Sequence, residues 1–527
     1  MSSPLNLPTT ATDPVTAAIH TTTPTLLHPI LFEALRYEEF IFICVAAAIL
    51  IAVGVMYVVD VTQKTHTIRR NYPVIGRLRY LMENLGEFLR QYFFANDREE
   101  LPFNRTERSW VYRAAKNVEN VVGFGSTRDF KPIGTVFFVN TPFPVLGRDA
   151  VEPHAVTIGP HCKSPYTTHS FFNISAMSYG AISKPAVLAL SKGAKMAGIW
   201  MNTGEGGISP YHLEGGADLI AQIGTAKYGY CNEKGELDDD LLRKAAAHKQ
   251  VKMFEVKLSQ GAKPGKGGVL PAVKVTPEIA AIRHIKPYTD SISPNRFPEI
   301  SNVKEMLDFA EHIRNVTGKP VGLKFVLGSY EWLDDFCLEI LRRGKEHAPD
   351  FVTLDSSAGG TGAAPLSLVD NVGLPIEESL PVLVDTLIRY GLRDRIKVIA
   401  AGKLITPSEV AWALCVGADF INSARGFLFA LGCIQALRCH LNTCPTGITT
   451  HDKHKQRGLD VTDKSLRVYH YATNMAKEVG IISHSCGVHE PRELCRHHAR
   501  IVSDDGRSIS LAKFFPEPKV EFGEEKI

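Results

Sequence analysis

A (β/α)8 barrel behind a single membrane-spanning helix is the architecture this sequence predicts. Short apolar strands alternate with helical stretches from about residue 170 to 425. Polar, glycine-rich segments recur directly after those strands. One uncharged run of 20 residues stands ahead of them all.

The apolar run is Phe40 to Val59, FIFICVAAAILIAVGVMYVV, bracketed by Glu39 and Asp60. About 20 apolar residues cross the hydrocarbon core as a helix. A signal peptide would have a shorter apolar core, a basic flank ahead of it and a small-residue cleavage site behind. Here Arg36 precedes the run, while Lys64, Arg69, Arg70, Arg77 and Arg79 follow it. The positive-inside rule then puts residues 1–39 outside and everything after 60 in the cytoplasm. The expectation is a single-pass protein of the inner (cytoplasmic) membrane; a buried core helix is the competing reading. Residues 1–39 are expected to be disordered, 1–30 being rich in Thr, Pro and Ala.

Residues 60–150 read as a connector and N-terminal module, with an amphipathic helix over 80–94. VGFGSTRDF at 122–130 has Gly-x-Gly without the third glycine and reads as a turn. The absence of a Walker sequence and of a Rossmann fingerprint argues against a nicotinamide nucleotide held through that fold.

Residues 151–450 carry the barrel. Candidate strands are 173–177, 199–203, 253–258, 321–325, 351–355, 396–400 and 420–423. A further strand is expected between Ile285 and Ile292. Helical periodicity falls at 185–197, 303–317, 331–345, 377–391 and 407–416. Repeated strand–helix units with apolar strands imply a parallel sheet. Roughly eight units in so short a span fit a closed barrel better than the runner-up, an open doubly wound sheet. Residues 451–527 are expected to form a helical cap.

Barrel chemistry sits at the carboxyl ends of the strands, and the polar motifs fall there. NTGEGG (202–207) follows the second strand and QGAKPG (260–265) the third. Lys324 lies within the fifth, and DSSAGGTG (355–362) follows the sixth. AGK (401–403) and SARG (423–426) follow the seventh and eighth, where barrels commonly cradle a phosphate with backbone N–H groups. A phosphate-bearing cofactor is expected. Any one such loop could equally be a tight βα turn; six at one barrel face make that reading harder to sustain.

The chain has ten cysteines in 527 residues, too few for a disulfide scaffold. Cys433, Cys439 and Cys444 crowd into CIQALRCHLNTCP. Three thiolates can wrap one soft metal centre, and a proline after the last cysteine also occurs in ferredoxin motifs. Zinc normally takes a fourth ligand, so three cysteines fit a [3Fe–4S] cluster. Unrelated buried thiols are the alternative. A second group, His484, Cys486, His489, Cys495, His497 and His498, is a candidate zinc site that matches no standard spacing, and His497-His498 read more simply as a polar helix face. Net charge is +3, and no basic stripe with interleaved aromatics points to nucleic acid.

ISAMSYGAIS (174–183), NTGEGG (202–207), QGAKPGKGG (260–268), GGTGAAPLS (359–367), GLRDRIKV (391–398) and LGCIQALRCHLNTCPTGI (431–448) occur in that order. Together they resemble the synthase domain of the FMN-binding glutamate synthase family, over roughly residues 150–450. The resemblance implies an FMN barrel beside a [3Fe–4S] cluster. It also implies an oxidoreductase that reduces 2-iminoglutarate, formed from 2-oxoglutarate and ammonia. Ser175, Ala176 and Met177 would line the flavin. Gly359, Gly360, Gly402, Arg425 and Gly426 would serve its ring and phosphate ends. Gln260, Lys263 and Arg283 would face the 2-oxo acid, Arg283 being able to bind a carboxylate bidentately. Glu205 would transfer a proton or orient the imine, and Lys324 would offset negative charge on the reduced flavin. Cys433, Cys439 and Cys444 would hold the cluster. Electrons would come from ferredoxin or a separate reductase.

The chain departs from the large family members. It begins Met1-Ser2-Ser3 without a cysteine nucleophile, and no glutaminase domain fits before residue 150. The family's acid in QGAKPGxGG is Lys266 here. Ammonia is then expected from solution or from a partner. The alternatives are an FMN-dependent oxidoreductase for a different amino acid or 2-oxo acid, and a non-catalytic membrane scaffold. A homo-oligomeric state is left open.

Overall fold

The computed structural model describes residues 27–522 and divides into two compact units, residues 1–100 and 101–527. The disorder expected at residues 1–26 lies outside the described residues. The first unit holds helices α1 (Leu27–Thr62), α2 (Thr67–Asn71) and α3 (Gly76–Leu89), then a π-helical turn, Arg90–Phe94. Residues 27–39 are thus helical, against the expectation of disorder. The Thr- and Pro-rich composition ends before them, and Leu, Glu, Ala and Arg are good helix formers. Within α1, Arg36–Thr62 (27 residues, mean hydropathy 2.8) is long and apolar enough to cross a membrane, and none of its apolar window is buried.

The second unit is built on a closed parallel barrel. Its strands are β1 (Phe172–Ile174), β2 (Trp200–Asn202), β3 (Asp218–Ile223), β4 (Val251–Lys257), β5 (Val321–Phe325), β6 (Phe351–Asp355), β7 (Lys397–Ala401) and β8 (Phe420–Ser423). Each pairs with the next, and Ile421 beside Phe172 closes the ring. The strand expected between Ile285 and Ile292 is not part of it. Only Ser291–Ile292 is extended there, in an antiparallel pair with Val269–Leu270 outside the barrel. Pro287 and Asp290 supply turn chemistry where a barrel strand would need an unbroken ladder. The strand that takes the place is β3, whose inward Gln222 interrupts its apolar run.

Period-two alternation stacks the barrel interior in layers. Trp200, Ile220, Met253, Phe351, Ile399 and Phe420 fill the bottom, packed on Ile158 and Tyr166 from the hairpin Val156–Ile158/Tyr166–Thr168. Gly322 has no Cβ because the Phe351 ring lies 2.3 Å from where one would stand. This apolar plug closes the amino end, so the barrel opens only at its carboxyl mouth. The middle layer is polar and centres on Glu255, which is fully buried. Its carboxylate accepts from Asn202 Nδ2 (2.8 Å), Gln222 Nε2 (2.6 Å) and Thr353 Oγ1 (2.6 Å). A buried carboxylate without such donors would be costly.

Helices pack outside the strands around the main apolar core. The segment after residue 450 contains the 25-residue helix Val461–Ser485, but it is not all helical. Ala499–Val502 and Ser508–Ser510 form an antiparallel sheet with Val136–Phe138.

Candidate active site at the carboxyl mouth of the barrel

The top interior layer is formed by the last inward residues of β4, β5 and β6: Lys257, Lys324 and Asp355. Lys324 Nζ lies 3.7 Å from Asp355 Oδ2, which also accepts the Gly261 N–H at 3.0 Å. Lys257 Nζ lies 3.0 Å from Glu205 Oε1 and donates to Gln260 Oε1 at 3.0 Å. The loops after β2 and β4 are thereby joined over the mouth.

Glu205 fits where it does because two neighbours are glycines. A Cβ on Gly268 would stand 2.3 Å from Glu205 Oε1, and one on Gly224 would stand 2.7 Å from Glu205 Cβ. Burial pushes the Glu205 carboxyl up, but Lys257, Lys263 and Arg283 together hold it below its ordinary range. Lys263 is 4% exposed and donates to Ala363 O at 3.0 Å. Burial, with Lys257 nearby, lowers its pKa to about 8. Arg283 is buried, donates to Ser291 Oγ (3.1 Å) and Ser178 Oγ (3.4 Å), and lies over the Tyr228 ring. Its Nε is buried with no hydrogen-bond partner. The expected substrate-facing residues Gln260, Lys263 and Arg283 thus gather around Glu205.

The expected flavin residues line the adjoining arc. Ser175 and Met177 are buried, and Ala176 is partly so. Ser175 N–H donates to Ser423 O (3.0 Å), tying the ends of β1 and β8. Gln260 Nε2 donates to Gly360 O at 2.9 Å. Arg425 donates to Ala358 O at 2.5 Å and lies 4.6 Å over the Phe103 ring. A Cβ on Gly360 would come within 2.8 Å of Arg425 Nε, so this glycine lets the cation approach the β6 loop. Gly402 (φ 109°) and Gly426 are also sterically required. Their Cβ atoms would stand 2.4 Å from Ser356 Cβ and 2.2 Å from Tyr471 Oη. Gly359 N–H donates to Ser356 O at 2.7 Å. A buried guanidinium beside glycine-rich backbone is a chemically suitable seat for a phosphate.

Cys433, Cys439 and Cys444 are all free thiols. Tyr112 Oη donates to Cys433 O at 2.6 Å, and Cys444 Sγ lies 3.4 Å from Thr446 Oγ1. Lys274 links this loop to the barrel. Its buried ammonium donates to Ala181 O (2.8 Å) and Cys439 O (3.3 Å). Among the described residues, no three His, Cys, Asp or Glu side chains converge on a single-ion site.

The model of the conserved region in glutamate synthase matches residues 139–489. The chain belongs to the glutamate synthase family. It is 42% identical over 496 residues to the glutamate synthase large subunit-like protein YerD of Bacillus subtilis (strain 168), covering 86% of this chain and 94% of that one. It is 34% identical over 278 residues to the archaeal-type glutamate synthase [NADPH] of Dehalococcoides mccartyi, covering 53% of this chain and 52% of that relative. The chain thus spans about half the length of that relative. Among solved structures it is similar to a mandelate oxidase with bound 2-hydroxy-phenylacetamide, at 14% identity and TM-score 0.43, covering 75% of this chain and 90% of that one. The enzyme is a glutamate synthase-like oxidoreductase.

Three residues of this glutamate synthase-like site escaped the sequence reading: Lys257, Lys274 and Glu255. Lys257 and Glu255 carried a usable signal, being charges two apart at the carboxyl end of an apolar strand. Lys274 carried none, because its partners are backbone carbonyls of remote segments.

Proposed function

We propose that the protein is an FMN- and iron–sulfur-dependent oxidoreductase that reductively aminates 2-oxoglutarate or a related 2-oxo acid. The nitrogen is ammonia, from solution or a partner, and the electrons come from ferredoxin or a separate reductase. One observation carries the reading: Glu205 is held among Lys257, Lys263 and Arg283 at the mouth of a barrel whose other end is plugged. A dicarboxylic 2-oxo acid needs cations at both ends and a proton-transfer group near its carbonyl carbon.

Arg283 and Lys263 bind the substrate carboxylates. Gln260, fixed by Lys257 and Gly360 O, orients the carbonyl. Glu205, held ionised beside Lys257, takes a proton from nitrogen as ammonia adds and returns it to the hydroxyl that leaves as water. The flavin phosphate is assigned to Arg425 with Gly359, Gly360, Gly402 and Gly426, and the ring to Ser175, Ala176, Met177 and Lys324. Cys433, Cys439 and Cys444 are assigned to a [3Fe–4S] cluster, which they would hold through their thiolates. When bound, the flavin supplies hydride and the cluster relays single electrons. The apolar stretch of α1 is read as a single inner-membrane span, with the barrel on the cytoplasmic side.

The test is anaerobic reoxidation of the reduced flavin by 2-oxoglutarate with ammonium, against other 2-oxo acids and amines. Purified protein without a flavin spectrum would sink the proposal. Faster reoxidation by another pair would favour a different 2-oxo acid on the same barrel, a reading supported by exposed Lys266 in place of the family's acid.

A further inference from the structure

The segment after the apolar stretch of α1 is not built as a loose linker. Asp60, in the last turn of α1, is fully buried. Its carboxylate accepts from Arg69 Nε (3.0 Å) and Nη2 (2.8 Å), Arg77 Nε (2.8 Å) and Nη2 (2.9 Å), and the Val74 N–H (3.0 Å). Val74 is held at φ 66°. Gly76 passes so close to Ile68 O that a Cβ would stand 2.9 Å from it. The corner between α1 and α3 is therefore fixed by charge-assisted hydrogen bonds.

From that corner, α3 presents an uncovered apolar face. Leu78, Leu81, Met82, Leu85 and Leu89 are 55%, 50%, 48%, 41% and 38% exposed. At ~100° per residue they fall within an arc of roughly 100°. Arg77 and Arg79 flank that arc, and Glu83 and Asn84 lie opposite. Tyr92, Phe93 and Phe94 extend the exposed apolar surface through the π-helical turn. A helix with one leucine face and bordering arginines lies in the plane of a bilayer interface. Two features identify the occupant as lipid. The face begins at the carboxyl end of the membrane-spanning stretch, and Lys64, Arg70 and Arg79 add positive charge that suits anionic headgroups.

Resting on the reading of α1 as a span, we propose that residues 75–94 form an in-plane helix seated in the headgroup layer of an anionic phospholipid leaflet. The Asp60 clasp turns the chain from the bilayer normal into that plane.

The test uses full-length protein in a C44S/C495S background, carrying Met82→Cys, Leu85→Cys or Glu83→Cys with a nitroxide label. It is reconstituted into vesicles of phosphatidylcholine with phosphatidylglycerol. Labels at 82 and 85 should be accessible to oxygen and shielded from an aqueous nickel chelate, with the reverse at 83. In pure phosphatidylcholine the shielding should weaken; unchanged shielding overturns the anionic requirement. Equal aqueous access at all three sites, or spin–spin broadening between copies, overturns the surface helix. Protein that fails to float with the vesicles removes the span as well. Flotation with water-exposed labels removes the surface helix alone.

Discussion

Lys257 Nζ stands 3.0 Å from Glu205 Oε1, joining the last residue of one barrel strand to the loop of another. Lys257 helps hold below its ordinary range the carboxylate proposed for proton transfer. Lys257→Met should reduce kcat about 10²-fold, the scale of a lost general acid–base contribution. Losing Lys257 lets the Glu205 pKa rise, so the acid limb of the pH profile should move to higher pH. Lys257→Arg should restore the limb in part. An unmoved limb would show that Lys257 only supports the loop.

Lys263 supplies a second prediction through its lowered pKa of about 8. Its ammonium is present below that pH and is lost above it. The KM for 2-oxoglutarate should therefore rise as pH passes about 8, with kcat less affected. Lys263→Arg, which stays charged, should remove the rise. The sign for folding is opposite. The folded state binds its proton less tightly than the unfolded chain, so this group adds stability as pH climbs through 8 toward its ordinary value of 10.5.

Gly402 joins β7 to its loop at φ 109°, with Ser356 Cβ 2.4 Å from where its own Cβ would be. Gly402→Ala combines backbone strain with a contact to a short, buried side chain. It should destabilise the fold by about 2–3 kcal/mol and lower flavin retention. Thermal melts and the flavin-to-protein absorbance ratio check both.

Cys439→Ser should remove iron and acid-labile sulfide from the purified protein while flavin remains bound. The residues assigned to the proposed cluster and those assigned to the flavin do not overlap. Iron analysis and low-temperature EPR of the oxidised protein measure this. Retained full iron content would exclude Cys439 as a ligand.

Lys274 brings a buried ammonium to Cys439 O. Lys274→Met should move the midpoint potential of the proposed iron–sulfur cluster to more negative values, because a nearby cation favours the reduced state. An EPR-monitored redox titration reads this independently of turnover. An unchanged potential at full iron content would reduce Lys274 to a tie between segments.

The sequence was most legible where a strand opens on apolar residues and places its polar ones at or near its carboxyl end. VGLKF, FVTLD and FINS occupy 321–325, 351–355 and 420–423 as expected. It was least legible where the barrel interior turns polar. Gln222 points inward to Glu255 and breaks the hydrophobic run of β3, so that strand escaped notice. The expected residues Glu205, Gln260 and Lys263 lie in the glycine-framed segments NTGEGG and QGAKPGKGG, whereas Arg283 ends the helix Pro277–Arg283, which contains no glycine. Lys257 carried a signal as a charge at the end of a strand, but its partner Glu205 lies on another loop and is fixed only by the closed barrel. In the first unit, the apolar run marked α1, but its start at Leu27 followed from helix-forming residues rather than hydropathy.

The sheet that pairs Val136 with Ile501 ties the approach to the barrel to nearly the last stretch of the chain. Contacts so distant in sequence form late, after the intervening chain has folded. During synthesis α1 emerges well before Ile501, so this sheet can close only after the barrel residues between them have left the ribosome. A chain stopped before Ala499 would therefore carry a complete set of barrel strands with Val136–Phe138 left unpaired, and should be protease-sensitive rather than a smaller working enzyme.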